Sequence, residues 1–462
     1  MSAMGVLVGL SKLINALSPV NRLPPEILGM IPKYQKGQTW KELVMVSSVC
    51  SYWRNTLLTT SSIWTGLNGK GIEKTRVWVR RSKALPIQLE VEGSPDLQVL
   101  KFLAPYSSRL DVVTLPCLKA RDRSLVTHGH LAKLLRPNAL LRILHIEASG
   151  LGTLDTPVTV GGEFPSLEKL FITDIRIVLA NLRAPNLHDV FLSEKFDLTS
   201  LLDFLETSPL LEYVALELGR LQDVSVGIRR KIVLEKMKRL HLFYHGLEVL
   251  QHLSLPPGGE VKTIEEMSPD QLDGITGDCA QLLFRALENL PMSRQAESLS
   301  FRTTDTCRVL LEGPNGSFEL VTNDIDVLAA RVTLLRSITQ HSTGTIRDLE
   351  ILRFDLSPTD YQPVSDFLRL LEGLQTIVTF QANASTWLSA LGTNICPQLL
   401  DLSFYHPSPE SVDYRAFTRF VKGRSKSGVP VQRLTVVNPF QSSLDVEEVE
   451  TLRKYVKGVV WM

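Results

Sequence analysis

One short pattern recurs along most of this chain: an apolar residue, two free positions, an apolar residue, one free position, an apolar residue. It stands at Leu110/Val113/Leu115, Leu141/Leu144/Ile146, Leu167/Leu170/Ile172, Leu187/Val190/Leu192, Leu211/Val214/Leu216 and Met237/Leu240/Leu242. After a gap it returns at Leu349/Leu352/Phe354, Leu399/Leu402/Phe404 and Val431/Leu434/Val436, with weaker copies near Leu299 and Ile377. The last two apolar positions alternate, as one face of a β-strand requires. Steps from Leu141 to Leu167, Leu187, Leu211 and Met237 are 26, 20, 24 and 26 residues. A unit this short cannot bury its own apolar face, so the pattern demands stacked neighbours.

Helical spacing precedes many of these strands. Leu198, Leu201, Leu202 and Leu205 stand at i, i+3, i+4 and i+7, as do Val364, Phe367, Leu368 and Leu371. Leu131, Leu134 and Leu135 precede the Leu141 copy; Tyr414, Phe417 and Val421 precede the Val431 copy. Asn138, Pro165, Pro185, Pro209 and Pro397 mark the turns between. Helix then strand at this period predicts parallel strands on one face and helices behind them. An ordinary α/β domain also alternates the two. The short, fairly even period and the lack of a glycine fingerprint favour a leucine-rich-repeat-like solenoid. Few copies carry the Asn or Cys that the strict repeat places after its strand, so the solenoid is expected to be irregular.

The pattern lapses in the middle. Pro256-Pro257-Gly258-Gly259 predicts a loop running to about Asp273, and Thr306–Thr322 a hairpin turning at Gly313-Pro314-Asn315-Gly316. This stretch, 256–322, reads as an insertion. Ser443–Glu448 predicts the start of a last helix, with Arg453, Lys454 and Lys457 near its end, and Val459–Trp461 a last strand. Earlier, Gly66–Glu73 is a loop by composition, Thr75–Lys83 a helix and Leu85–Val91 a strand.

The first 65 residues are different. Pro24 and Pro25 suit a first helical turn. Thr39-Trp40-Lys41-Glu42 is a capping box. Leu43, Val46, Cys50, Trp53 and Leu57 then repeat at three- and four-residue steps. Pro32 predicts a break or distortion of the first helix. Met4–Leu17 reads as a short amphipathic helix or a poorly ordered tail. Two blocks, Leu23-Pro24-x-Glu26-Ile27-Leu28 and Val49-Cys50-x-x-Trp53-Arg54, resemble the F-box in order and spacing. The resemblance covers about a tenth of the chain. It implies a fold of class α/β: a three-helix F-box over 18–65, a connecting helix and strand over 66–92, and the solenoid over 93–462. It further implies the substrate-recognition subunit of a Skp–cullin–F-box ubiquitin ligase, bound to a Skp-type adaptor and through it to a cullin, with a protein client on the solenoid. Carried over position by position, the adaptor face would use Leu23, Pro24, Ile27, Leu28, Val49, Cys50 and Trp53. The alternative is an interaction scaffold whose F-box does not engage the ligase.

Composition excludes little but points the same way. A net charge of +1 over 462 residues gives no global field for nucleic acid or a membrane. No apolar run reaches the roughly 20 residues of a membrane helix. Five cysteines without CxxC spacing fit reduced thiols in the cytoplasm or nucleus. His241 and His245 lack the Glu that a zinc protease places after its first His, and His128/His130 are a weaker pair. Gly423–Gly428 is a basic loop by composition, and Arg229–Lys231 with Lys236, Lys238 and Arg239 the densest basic cluster. The latter reads as a solvated helix face. No enzyme activity, cofactor or metal is expected.

Overall fold

A computed structural model describes residues 3–34, 40–91, 93, 95–116, 129–148, 158–173, 177–179, 181–194, 198–218, 230–244, 246–265, 283, 285–303, 306–323, 335–336, 339, 344–353, 361–407, 414–437 and 446–462. The fold is mixed α/β, dominated by a large, mostly parallel sheet. The chain forms two compact units, Met1–Glu194 and Lys195–Met462.

The first unit opens with four helices: α1 (Ala3–Leu17), α2 (Pro25–Tyr34), α3 (Trp40–Ser47) and α4 (Ser51–Thr59). Of the break or distortion expected at Pro32, the break does not occur: α2 runs on to Tyr34. So close to the C-terminus, its missing N–H forgoes a single bond to the Leu28 carbonyl. Thr39 of the capping box lies outside the described residues. β1 (Gly66–Leu67) follows, then α5 (Ile72–Arg81), β2 (Ile87–Glu90), α6 (Leu97–Leu103), β3 (Leu110–Leu115), α7 (His130–Leu134) and β4 (Ile143–Glu147). Of the loop expected at 66–73, residues 68–71 are loop, between a two-residue strand and a helix start. β1 pairs through its backbone with Gln88 and Leu89 of β2, and that needs no side-chain pattern. Trp64 packs edge-on against Trp78 of α5 at 5.5 Å and lies under the Arg81 guanidinium at 4.4 Å, which ties the helical module to α5.

Beyond β4 the backing changes from helices to two-residue strands. β5 (Val158–Thr159) and β6 (Gly162–Glu163) precede β7 (Lys169–Thr173); β8 (Ile177–Val178) and β9 (Leu182–Arg183) precede β10 (Asp189–Glu194). β5 pairs with β8 and β6 with β9. The main ladder runs β1-β2-β3-β4-β7-β10, parallel at every step. The turn before each strand is the same: Leu167 N donates to Phe164 O at 3.1 Å and Leu187 N to Ala184 O at 3.1 Å. Before β4 the turn is held by buried Asn138, whose side-chain amide donates to the Ser107 and Leu110 carbonyls.

In the second unit come α8 (Leu198–Glu206), β11 (Tyr213–Leu218), β12 (Ile232–Val233), β13 (Arg239–Phe243), α9 (Gly246–Leu250), β14 (Leu253–Ser254) and β15 (Gly259–Glu265). β15 therefore occupies part of the loop expected from Pro256. After α10 (Pro291–Arg294), β16 (Ser298–Thr303), β17 (Thr306–Gly313) and β18 (Gly316–Asn323) form an antiparallel meander. The expected hairpin is there, but it is no appendage. β18 pairs parallel with β15, and β16 pairs parallel with β19 (Asp348–Leu352), so the meander fills the sheet between them. The ladder then continues through β20 (Thr376–Phe380), β21 (Asp401–Tyr405), β22 (Arg433–Val437) and β23 (Gly458–Trp461), all parallel. Its backing helices are α11 (Tyr361–Leu368), α12 (Ala384–Leu391), α13 (Tyr414–Lys426) and α14 (Val446–Arg453), each packed on the next.

The recurring apolar positions are the core: Leu144, Ile146, Leu170, Ile172, Leu240, Leu242, Leu402 and Phe404 are all buried. One copy slips. The buried set is Ile346, just before β19, with Leu349 and Ile351 on it, whereas Leu352 falls on the opposite face by strand alternation and Phe354 lies outside the described residues. The basic loop expected at Gly423–Gly428 is largely the last turn of α13, and Arg424 in it is fully buried.

Candidate partner-binding surfaces

The small helical module brings both distinctive sequence blocks together. α2 and α3 each pack on α4, and the Tyr52 hydroxyl donates to the Leu23 carbonyl at 3.1 Å. Gly29 lets α2 lie against Thr60; an added Cβ would stand 3.1 Å from the Thr60 methyl. The seven residues expected on one partner face divide. Pro24, Ile27 (44 % exposed) and Val49 (53 %) face solvent; Leu23 and Cys50 are half-buried. Leu28 (1 %) and Trp53 (8 %) lie inside the module and leave little surface for a partner. A helix of this size needs some of its apolar positions for its own core, and these two point inward.

Trp53 is instead part of a polar hub. Its indole N–H donates to Asn21 Oδ1, which also lies 3.9 Å from Cys50 Sγ. The Asn21 amide donates to the Asn15 carbonyl of α1 at 2.6 Å. Asn21 thereby clamps the end of α1 to α4, a role that no pattern in the sequence flags. A cleft of about 570 Å³ separates the two, with Leu7, Val8 and Asn15 on one side and Cys50 and Tyr52 on the other. Other exposed apolar residues add to the surface: Met30 on α2, Val44 and Met45 on α3, and Tyr52 and Leu58 on α4.

A second surface is the sheet face opposite the core. In the first unit the register sets Glu90, Thr114, His145, Phe171 and Phe191 in one row. Phe171 stacks on Phe191 at 4.5 Å, and His145 meets Phe171 edge-on at 4.8 Å. Burial pushes the His145 imidazole below its ordinary range, with Glu147 opposing. Its Nε2 has no hydrogen-bond partner among the described residues. In the second unit Glu319 accepts from Lys262 Nζ at 2.8 Å and Arg308 Nε at 3.0 Å, and Phe380 stacks on Tyr405 at 4.9 Å.

The remaining candidates do not gather. Arg230 pairs with Asp203 and Glu206, Lys238 with Glu212 at 2.6 Å, and Arg239 with Glu260 at 3.2 Å, so acids pair with these three cations of the basic cluster. His241 Nε2 lies 3.7 Å from Glu260; His245, His128 and Arg229 lie outside the described residues. Among the described residues no group of three metal-ligating side chains converges, and no helix is long and apolar enough to cross a membrane. No known family model matches the chain, and no characterised protein matches it in sequence.

Proposed function

We propose that this chain is the substrate-recognition subunit of a Skp–cullin–F-box ubiquitin ligase. On this reading α2, α3 and α4 form the F-box, and the strand ladder is a leucine-rich-repeat-like solenoid that holds a protein client. The observation that carries it is the packing of the two F-box-like blocks into one small module that leaves Pro24, Ile27 and Val49 in solvent. The half-buried Leu23 and Cys50 flank that surface. Such a subunit supplies no reacting group. It raises the effective concentration of client beside the ligase, and tethering alone accelerates the transfer.

The test is capture of a purified Skp-type adaptor by the full chain, compared with Ile27→Ser/Val49→Ser. Both residues are exposed, so the variant keeps its fold by circular dichroism. Removing two central apolar contacts weakens binding by about tenfold or more. A well-folded wild type that captures no adaptor sinks this reading and leaves an interaction scaffold.

A further inference from the structure

We infer that α1 is a second part of the adaptor-binding surface, resting on the reading above. α1 reads Ala-Met-Gly-Val-Leu-Val-Gly-Leu-Ser-Lys-Leu-Ile-Asn-Ala-Leu. At helical angles Val6, Leu7, Leu10, Leu13, Ile14 and Leu17 fall in one stripe, while Met4, Val8, Ser11, Lys12 and Asn15 fall outside it. All six are exposed, Leu10 at 52 % and Leu13 at 61 %. A short helix gains most of its stability from packing an apolar face, so a stripe left in water implies an occupant.

Three observations select that occupant. The stripe uses three positions in seven, a width suited to a groove in a partner, whereas a two-helix seam with a second copy takes two in seven. Lys12 is the sole charge of α1, and the helix has no aromatic residue, whereas helices that lie on membranes carry a basic face. Finally, α1 is continuous with the module's own exposed surface. Leu7 faces Tyr52 and Cys50 across the cleft, and Asn21 fixes the end of α1 to α4. A single partner seated on the module therefore reaches the stripe through Leu7.

The experiment measures adaptor affinity of the full chain by biolayer interferometry, for wild type, Leu10→Gln/Leu13→Gln, Lys12→Gln and Ile27→Ser/Val49→Ser. Gln keeps the helix, and Lys12 lies off the stripe. The expected result is a loss of about tenfold or more for the α1 double variant, with Lys12→Gln unchanged. Unchanged affinity in the α1 variant, beside a loss in the Ile27/Val49 variant, overturns the α1 inference and leaves the F-box reading intact. A wild type that binds no adaptor overturns both. Sedimentation velocity and flotation with phosphatidylcholine–phosphatidylserine vesicles run in parallel. If Leu10→Gln/Leu13→Gln abolishes self-association or vesicle binding while adaptor affinity stays unchanged, the occupant is a second copy or a lipid surface, and the inference is overturned.

Discussion

Among the described residues Arg424 has no carboxylate beside it. Its guanidinium donates to three main-chain carbonyls instead: Ile395 at 2.6 Å, Cys396 at 2.9 Å and Val429 at 3.1 Å. Burial lowers its pKa, with Cys396 opposing. The fork geometry joins the turn after α12 to the end of α13. Arg424→Met removes this donor from all three, leaving Cys396 O only its bond from Leu399 N at 3.0 Å, and costs about 2–4 kcal/mol in urea unfolding. Burial pushes the neighbouring Cys396 thiol up to about 12. Folded protein treated with iodoacetamide at about pH 8.5 is therefore expected to label the half-exposed Cys50 well ahead of Cys396, read by mass spectrometry. His145 carries a pH dependence of definite sign. Its folded pKa is lowered, so the unfolded chain binds the proton first. Its contribution to stability is intact above the ordinary histidine value of about 6.5 and is lost as pH falls through it. The urea midpoint should drop between about pH 7.5 and about pH 5.5, and His145→Gln should flatten that drop.

The meander of β16, β17 and β18 is held by two glycines at its tight turn. Gly316 has φ +112°, and a Cβ there would stand 2.1 Å from the Gly259 carbonyl; one at Gly313 would stand 2.4 Å from that of Gln295. Gly316→Ala should cost about 3 kcal/mol or more in thermal or urea unfolding. The turn was legible as Gly-Pro-Asn-Gly between two apolar runs. Its place in the sheet was not, because β18 is built after β16 yet sits beside β15, and pairing across such a distance leaves no local mark. The same limit explains the short strands β5, β6, β8, β9 and β12. Two residues are too few to alternate, so their segments offered no strand signal, and helices were expected as the general backing of the strands. Leu198–Leu205, Val364–Leu368 and Phe417–Val421 did announce their helices, because several buried positions repeat within each. In the N-terminal module the spacing marked Leu28, Ile27, Val49 and Trp53 alike as apolar. Only packing distinguishes Leu28 and Trp53, turned inward, from Ile27 and Val49, turned out.

Within the second unit each described strand of the main ladder pairs only with the one or two beside it, so stability is assembled from neighbour to neighbour. A cavity at one end should loosen that end first. Leu434→Ala, in the core of β22, is expected to cost about 3 kcal/mol locally and to raise amide hydrogen exchange in β21–β23 before β11–β13. A uniform rise across the unit would contradict this. The meander has a different standing in this scheme. Among the described pairings it is the sole link between β15 and β19. If it detaches, the unit does not simply lose three strands. It acquires two internal edges, one along Val261 and one along Leu349 and Ile351, each a row of unpaired backbone groups beside apolar side chains. Such edges recruit strands from other molecules. Damage to this hairpin is therefore expected to appear as aggregation at temperatures where the rest of the chain is still folded.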